Sequence, residues 1–512
     1  MSQITSECRD EFQKIISDTA LDYHQKRAAL AYAAENSLPY PAISLKARDY
    51  LERKIICDLN EGHAPYRPRY IVPDYQKFMK QGSEYLNLQP PRDLFEAVGA
   101  LLVLYRYVPS VTGFPVYLGP IDTLLEPFME GVSSAEAEAE AEKLLRLFLI
   151  NIDRTLPDAF VHMNIGPAAT KTGKLLLRLE RLLQRAVPNL SLKVDETTDP
   201  EFVQEAIVTA LEVGKPYFVN HAELTKVWGE GYAVASCYNT LKIGGGSYTL
   251  VRLNLKEVAG LASGYQDFME KRLPEAIDLL CEIINRRISF VVETAKFFET
   301  SFLVREGLLD QANFTAMAGV FGLYECVETL SGGLRMGFDA AANEMARAVT
   351  ERAYSLVKEH EGAYCAATNG KIGFHAQSGI DTDLNVTAGV RVKTGAEPDL
   401  LEQIRLAGQL QTYFDTGVSD IYLFDRTARR NPAGVFKIIS GALKQGVRIM
   451  AINSGDGAMV RITGYLVKRS DIDKYFRGEP LREGTVKLGA ESVKNQETLR
   501  RIVRSVNEGP AQ

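Results

Sequence analysis

Short apolar segments of extended character alternate with amphipathic helical segments along most of the 512-residue chain. Strands are predicted at AFVHMNI, LSLKVDE, KPYFVNH, YAVASCYN, TLVRLNL, KIGFHAQ, SDIYLFD and VRIMAIN, and helices at PEFVQEAIVTALEVG and AANEMARAVTERAYSLVKEH. No long Gly/Ser-rich or Pro-rich linker separates these segments. The alternation predicts an α/β protein, but it does not distinguish an open sheet from a closed barrel.

The composition narrows the class of protein. With 46% hydrophobic and 24% charged residues, the chain has the balance of an ordinary globular protein. The net charge is −6 and the basic residues are scattered, so we expect no nucleic-acid partner. The first residues, MSQITSECRDEFQK, lack the apolar core of a signal peptide, and no uninterrupted apolar run approaches the length of a membrane span. We therefore expect a cytoplasmic protein without membrane contact.

The six cysteines, at positions 8, 57, 237, 281, 326 and 365, show neither a Cys-x-x-Cys pair nor the spacing of metal ligands. A structural zinc site and a disulfide framework are therefore not expected. Each cysteine is by default a small buried apolar residue, so a chemical role has to be argued for each one separately.

Several predicted loops and strand ends carry polar groups that suit a ligand site. The segment EGHAPYRPRYIVPDY contains Glu61 and His63 among tyrosines, arginines and prolines. In VHMNIGP, His162 and Asn164 lie on the same side of a predicted strand, and KIGFHAQSG contributes His375. These five residues are candidates for binding substrate or acting as a base. The alternative for each histidine is a hydrogen-bonded structural residue.

Two familiar motifs are not supported. The glycine-rich KIGGGSYT lacks the Gly-Lys-Ser/Thr of a phosphate loop, and a strand rather than a helix is predicted after it. We interpret it as a hairpin turn beside a site. The Gly-x-Ser-x-Gly pattern of many hydrolases is absent from the chain.

The segment Arg461-Ile462-Thr463-Gly464-Tyr465 resembles the Arg-Val-x-Gly-Tyr signature of glycyl radical enzymes, which carry it near the C-terminus. A glycine α-carbon can hold an unpaired electron because the neighbouring amide and carbonyl groups share the spin in a planar arrangement. A Cβ atom would crowd that arrangement, whereas glycine has none. Gly464 is therefore the predicted radical store, and such a store requires a thiol that removes hydrogen from substrate.

Two cysteines compete for the thiol role. Cys326, in GLYECVETLSG, resembles the Cys-x-Glu of glycyl radical dehydratases and lyases, but it precedes Gly464 by only 138 residues and falls in a predicted helix. Cys237 follows a predicted strand, precedes the glycine-rich turn and lies 227 residues before Gly464. A loop tip inside a barrel suits Cys237 better, so we predict Cys237 as the thiyl site and keep Cys326 as the alternative.

Taken together, these segments resemble the YjjI family of glycyl radical enzymes over nearly the whole chain, including SLPYP, VPSVTGFPVYLG, RTLPDAFVHMNIGP, SCYN, LVRLNLK, HAQSGI and RITGY. The resemblance implies a shortened ten-stranded α/β barrel surrounded by helices, with a C-terminal glycyl radical loop. It assigns residues 1–440 to the helical N-terminal part and the barrel with the cysteine loop, and residues 441–512 to the radical segment. It also implies a glycyl radical at Gly464, installed by a separate radical S-adenosylmethionine activating enzyme, with no bound cofactor.

The resemblance identifies the site of the radical, but it does not identify the reaction equally well. Cys237 stands between Ser236 and Tyr238, so the adjacent cysteines of formate acetyltransferases are missing, and residue 239 is Asn where dehydratases carry the base. We predict elimination from a small diol or sugar-like substrate. The alternatives are carbon–carbon bond cleavage or ribonucleotide-reductase-like chemistry, and a non-enzymatic α/β binding protein; a homodimer stays open.

The sequence also gives an expectation for Gly464→Ala. A single methyl group at a local site threatens stability only modestly, so this variant is expected to fold and to form no radical.

Overall fold

The computed structural model describes residues 6–19, 21–58, 66–112, 116–156, 158, 160–376, 383, 385–479 and 498–506. Glu61 and His63, two of the predicted site residues, lie outside these ranges. The strands are β1 (Ile56–Asp58), β2 (Tyr70–Val72), β3 (Tyr117–Pro120), β4 (His162–Ile165), β5 (Asn189–Val194), β6 (Tyr217–Asn220), β7 (Tyr232–Ala235), β8 (Asn239–Lys242), β9 (Gly245–Asn254), β10 (Phe314–Phe321), β11 (Gly373–Ala376), β12 (Asp420–Phe424), β13 (Ile449–Ser454), β14 (Met459–Arg461), β15 (Leu466–Lys468) and β16 (Val503–Arg504).

Helices connect most of these strands. They are α1 (Ser6–Ser17), α2 (Tyr23–Asn36), α3 (Leu45–Glu52), α4 (Tyr75–Gln81), α5 (Leu94–Tyr107), α6 (Pro109–Thr112), α7 (Ile121–Leu125), α8 (Ala135–Thr155), α9 (Lys171–Leu183), α10 (Pro200–Val213), α11 (His221–Trp228), α12 (Leu255–Gly260), α13 (Tyr265–Asp267), α14 (Leu273–Ser289), α15 (Phe297–Thr300), α16 (Phe302–Arg305), α17 (Leu323–Ser331), α18 (Ala340–Glu359), α19 (Leu400–Gln411), α20 (Arg426–Arg430), α21 (Pro432–Lys444) and α22 (Arg469–Phe476). The predicted strands and helices are all present.

Ten strands follow one another around a barrel, in the order β2, β9, β10, β11, β12, β13, β6, β5, β4 and β3. Strands β3 to β6 run parallel, as do β9 to β11 and the pair β12–β13. The contacts β6–β13 and β2–β9 are antiparallel. The molecule therefore contains two half-barrels of opposite direction, the first ending at β6 and the second beginning at β9.

Two junctions close the barrel where no regular ladder is present. The Ala376 amide donates to the Gly417 carbonyl at 3.0 Å, and the Thr416 amide donates to the Phe374 carbonyl at 3.1 Å. These bonds join β11 to the residues that lead into β12, while β2 lies against β3 on the opposite side. The closed barrel agrees with the fold that the resemblance implies.

Local sequence explains why these elements form. Every residue of β5, β6, β9, β10 and β13 is buried, as expected for parallel strands covered by helices on one face and filled on the other. Helix α10 shows clear boundaries: Asp199 caps its first turn, Pro200 occupies the first helical position, and Gly214 ends it in the left-handed conformation at φ 77°. Gly214 turns the chain directly into β6.

Two hairpins lie apart from the barrel wall. Strands β7 and β8 pair with each other, and so do β14 and β15. We call them the cysteine hairpin (residues 232–242) and the glycine hairpin (residues 459–468). Because β13 pairs with both β6 and β12, the barrel extends to Ser454. Residue 440, the predicted boundary, lies within α21, which precedes β13.

One helical stretch among the described residues, Leu94–Val111, is long and apolar enough by composition alone to cross a membrane. In the fold, 44% of this stretch is buried. Its buried residues belong to the same hydrophobic core as the barrel strands, which is the behaviour of a core helix.

Candidate active site

The cysteine hairpin carries Cys237 at its tip. Ala235 pairs with Asn239, so a three-residue turn of Ser236, Cys237 and Tyr238 joins the strands. Ser236 adopts the left-handed conformation at φ 57°, which is uncommon for a residue with a side chain. Cys237 is buried. The thiol of Cys237 thus lies inside the protein, on a turn whose uncommon backbone conformation has to be stabilised by the surrounding residues.

The glycine hairpin carries Gly464 at its own tip. The Ile462 amide donates to the Tyr465 carbonyl at 3.0 Å and closes the turn. Residues 459 to 467 are all buried, including Gly464. Unlike many turn glycines of this chain, Gly464 does not have a positive φ, so its backbone conformation does not by itself require glycine.

The two tips meet. A Cβ atom placed on Gly464 would lie 1.7 Å from the Cβ of Cys237 and 3.0 Å from its Sγ. Real Cβ atoms do not approach other atoms so closely, and the hydrogen that glycine carries in that direction points at the Cys237 side chain. Glycine is required here because of the close approach of the second hairpin.

Tyr217, at the start of β6, binds the glycine loop directly. Its hydroxyl donates to the Gly464 carbonyl, and burial raises its pKa to about 12 despite the nearby Arg461 cation. The Arg461 guanidinium lies 4.0 Å from the centre of the Tyr217 ring, in a cation–π arrangement. The phenol is therefore neutral at physiological pH and remains a hydrogen-bond donor.

His162, on β4, holds the strained turn of the cysteine hairpin. Its Nδ1 lies against the Ser236 carbonyl, which can only accept, so Nδ1 carries the proton. Its Nε2 then accepts from the Ser191 hydroxyl at 2.7 Å. Burial lowers the pKa of His162 to about 3. This geometry argues against the predicted role of His162 as a base, because both ring nitrogens are already engaged.

Asn164, two residues along the same strand, binds the hairpin as well. Its Nδ2 donates to the Val234 carbonyl at 2.9 Å, and its Oδ1 accepts from the Val234 amide at 3.0 Å. On the edge of β7 that does not pair with β8, the Asn164 side chain thus makes the two backbone hydrogen bonds that another strand would make. The structure brings His162 and Asn164 together on one face, as predicted, but their contacts are with the cysteine hairpin.

His375, at the end of β11, has one nitrogen available. Its Nδ1 donates to the Thr416 carbonyl at 3.1 Å, so Nε2 of the neutral ring carries a lone pair. Within the described parts of the chain, this buried Nε2 has no hydrogen-bond partner. The ring stacks on Tyr238, the neighbour of Cys237, with centroids 5.8 Å apart. Burial lowers the pKa of His375 to about 3, so the ring is neutral and ready to accept a hydrogen bond.

The other predicted groups fall elsewhere. Cys326 is buried in α17, where burial raises the pKa of its thiol. Asn239 stands two residues after Cys237 and donates from Nδ2 to the Ala235 carbonyl at 3.2 Å. Sequence reasoning missed Tyr217 altogether: KPYFVNH indicated a strand, but nothing in it indicates a partner 247 residues away.

Comparisons with known proteins identify the family and the fold that this chain shares. A family model described as "Glycyl radical enzyme YjjI-like" matches residues 21–504. The YjjI protein of Escherichia coli (strain K12) is 38% identical over 501 residues, covering 97% of this chain and 96% of that protein. Among solved structures, one on 1,2-propanediol dehydration in Roseburia inulinivorans has a TM-score of 0.72 at 12% identity, covering 98% of this chain and 89% of that one. The anaerobic ribonucleotide reductase from Thermotoga maritima has a TM-score of 0.66 at 12% identity, covering 92% and 88%.

Proposed function

Because the chain belongs to the YjjI-like family of glycyl radical enzymes, we propose that it stores an unpaired electron on the α-carbon of Gly464 and transfers it to the Cys237 thiol. The contact between the two hairpin tips is the observation that carries this proposal. Hydrogen-atom transfer requires the donor and acceptor to be nearly in contact, and Cys237 meets that condition. The three heavy atoms nearest to a Cβ position on Gly464 all belong to Cys237, whereas Cys326 lies in α17.

The surroundings of Gly464 suit radical storage. The spin of a glycyl radical spreads onto the neighbouring carbonyl, and a hydrogen bond from the Tyr217 hydroxyl to that carbonyl stabilises the delocalised form. The buried hairpin keeps water and stray reductants away from the radical. The radical itself is a modification of the chain, and no bound cofactor is needed to hold it.

We propose elimination of water from a small vicinal diol or sugar-like compound as the reaction. The Cys237 thiyl radical takes a hydrogen atom from a carbon that carries a hydroxyl group, and the Nε2 of His375 accepts the hydrogen bond of that hydroxyl. The proton of the first hydroxyl moves to the adjacent hydroxyl, which leaves as water; the first oxygen becomes a carbonyl, and the product radical takes the hydrogen atom back from Cys237. Electrons balance, because the substrate is oxidised at one carbon and reduced at the next.

Other radical reactions receive less support. Acyl transfer needs a second thiol beside the first, whereas Ser236 and Tyr238 flank Cys237. Carbon–carbon cleavage and ribonucleotide-reductase-like chemistry use the same Gly464–Cys237 pair and remain the alternatives. Because the chain belongs to the enzyme family, the RITGY segment is explained as part of an enzyme and the alternative of a non-enzymatic binding protein is not needed.

Installation of the radical requires a partner. We propose a separate radical S-adenosylmethionine activating enzyme that removes one hydrogen from Gly464. Since Gly464 is buried beneath Cys237, the glycine hairpin has to leave the barrel for that step, a gating motion of the kind that loops perform.

Paired cysteine variants test the thiol assignment. After activation, Cys237→Ser should show the glycyl radical by electron paramagnetic resonance but no turnover, because a hydroxyl holds its hydrogen more tightly than a thiol. Cys326→Ser, the matched control, should retain both the radical signal and most of the turnover of a metabolite mixture. Loss of turnover in Cys326→Ser with retention in Cys237→Ser would reverse the assignment.

A further inference from the structure

Two buried arginines stand near the Gly464–Cys237 pair, and among the described residues a carboxylate faces Arg391 but not Arg461. Arg461 is 3% exposed, and its partners among the described residues are all neutral: the Asn453 side chain at 3.1 Å, the Gly214 carbonyl and the Tyr217 ring. Its Nη1 is buried and has no hydrogen-bond partner in the described parts of the chain. Burial, together with repulsion from Arg391, lowers the pKa of Arg461.

Arg391 is the second cation. Its Nε and Nη2 donate to the carbonyl and hydroxyl of Ser419 at 2.8 and 2.9 Å. Its guanidinium carbon lies 5.7 Å from the centre of the Tyr238 ring, so the group is close to the cysteine turn. Among the described residues, Nη1 of Arg391 makes no hydrogen bond, which leaves a donor for a ligand.

The nearby carboxylates do not neutralise both arginines. Asp420 lies 4.0 Å from Nε of Arg391, and its oxygens also accept from the Gln403 amide at 3.0 Å and the Ile421 amide at 2.7 Å. Glu397 faces Arg501 at 3.7 Å. An uncompensated buried charge is costly in a folded protein, so this excess of positive charge is expected to be offset by a bound anion.

The same region contains unused hydrogen-bond acceptors. Nε2 of His375 and Oδ1 of Asn239 are both buried and have no partner within the described residues. Such acceptors suit hydroxyl groups, whereas the arginine donors suit a carboxylate or phosphate. The surroundings of Tyr238 therefore offer a group for a hydroxyl, His375 with its ring centroid 5.8 Å away, and a group for an anion, Arg391 with its guanidinium carbon 5.7 Å away.

We propose that the substrate is a hydroxylated anion, a polyhydroxy carboxylate or a sugar or polyol phosphate, whose charged group binds Arg391 with support from Arg461. This inference rests on the proposed function and narrows its substrate class, since neutral diols would leave the arginine charge uncompensated. For a dihydroxy carboxylate such as glycerate, the reaction yields an oxo acid and one water molecule, and the hydrogen atom borrowed by Cys237 returns to the product.

Calorimetric titration of the unactivated protein tests this substrate class without any radical. Three ligand pairs compare an anion with a neutral counterpart of similar shape: glycerate and glycerol 3-phosphate against glycerol, and gluconate against glucitol. At low salt, at least one anion should bind about 10- to 100-fold more tightly than its neutral counterpart, the range expected for hydrogen bonds to charged groups. Comparison of the two carboxylates, glycerate and gluconate, with glycerol 3-phosphate then shows which anionic group the site prefers.

Variants locate the binding group. Arg391→Gln should remove most of the preference for the anion, and Arg391→Lys should keep part of it, because a charge remains but the planar donor fork is lost. Arg146→Gln, which removes one positive charge from the exposed face of α8, should leave binding unchanged. If Arg391→Gln does not fold, the wild-type ligand pairs and their weakening by salt still decide the question.

The outcomes separate this inference from the proposed function. A panel in which no anion binds more tightly than its neutral counterpart, or an anion preference that Arg391→Gln leaves intact in a folded protein, overturns the anionic substrate. Neither result affects the radical assignment. Conversely, failure to form a radical at Gly464 overturns the proposed function whatever the ligand titrations show.

Discussion

A side chain at position 464 would occupy the volume of the Cys237 side chain. The RITGY motif identifies Gly464 in the sequence, and the sequence suggests that a glycine is needed there so that the radical can be planar. That reason accounts for only part of the requirement for glycine at this position. The structure adds the contact with Cys237, which no local pattern contains because the two residues are 227 positions apart. The expectation that Gly464→Ala folds with only modest strain therefore has to be revised.

Gly464→Ala should destabilise the resting protein by about 1–3 kcal/mol or more, as for other overpacked sites, because its Cβ would lie 1.7 Å from the Cβ of Cys237. The double variant Gly464→Ala/Cys237→Gly removes the competing side chain and should recover most of the loss. Urea unfolding of the two variants measures this. A single variant as stable as wild type would show that the hairpin tips do not touch in solution.

A second prediction at the residue scale concerns pH. Burial lowers the pKa of His375 to about 3, against about 6.5 in an unfolded chain, so between these values the unfolded state binds more protons. The stability gained from the neutral ring is fully present above pH 6.5 and is lost as the pH falls toward 3.

The free energy of unfolding of wild type should therefore fall by about 1.4 kcal/mol per pH unit more than that of His375→Gln below about pH 6. Urea unfolding at several pH values between 7.5 and 4.5 measures the difference. Parallel curves for wild type and variant would contradict the buried, neutral state of this histidine.

At the scale of elements, the candidate site consists of two hairpin tips held by side chains from two strands of one half-barrel, β4 and β6. Side chains of β4 hold the cysteine hairpin, and Tyr217 of β6 holds the glycine hairpin. The sequence indicated that His162 and Asn164 share a strand face, since alternation in a strand is a local property. It did not indicate which element that face meets. Tertiary packing decides this, so their contacts with the hairpin could not be read from spacing.

Asn164→Ala should cost about 2–4 kcal/mol, because the amide and carbonyl of Val234 would both lose their buried partner. Asn151→Ala, on the solvent-facing side of α8, is the matched control and should change stability by less than about 0.5 kcal/mol. In activated Asn164→Ala, the radical should form but turnover should fall, since Cys237 is less firmly placed. Unimpaired turnover would show that the hairpin does not depend on this anchor.

At the scale of the whole molecule, the order of strands and helices predicted an α/β protein, and the family resemblance predicted the barrel. Closure depends on pairing between distant segments, such as β2 with β9 and β6 with β13, and hydrophobic periodicity does not encode partners. The last described segment, residues 498–506, which we call the C-terminal strap, pairs through β16 with β12. Its buried Arg501 faces the carboxylate of Glu397. The strap therefore fastens the last described part of the chain to the barrel.

Glu397→Gln should loosen the strap, because it removes the carboxylate that faces the buried Arg501; truncating such pairs typically costs about 3–5 kcal/mol. Peptide-level hydrogen exchange should increase across residues 498–506, and the activating enzyme should install the radical faster. Glu402→Gln, which removes an exposed pair with Arg405, should alter neither. Faster hydrogen exchange in Glu397→Gln without faster activation would show that the strap does not control the opening of the glycine hairpin.

The most direct test of the central claim is the intact mass of activated protein after exposure to air. A radical on a backbone α-carbon reacts with oxygen and breaks the chain there, so the sample should contain a fragment that ends before residue 464. Cys237→Ser should be cut in the same way, whereas Gly464→Ala and unactivated wild type should stay whole. If an activated sample with a verified radical signal remains intact, or is cut elsewhere, Gly464 is not the carrier of the radical.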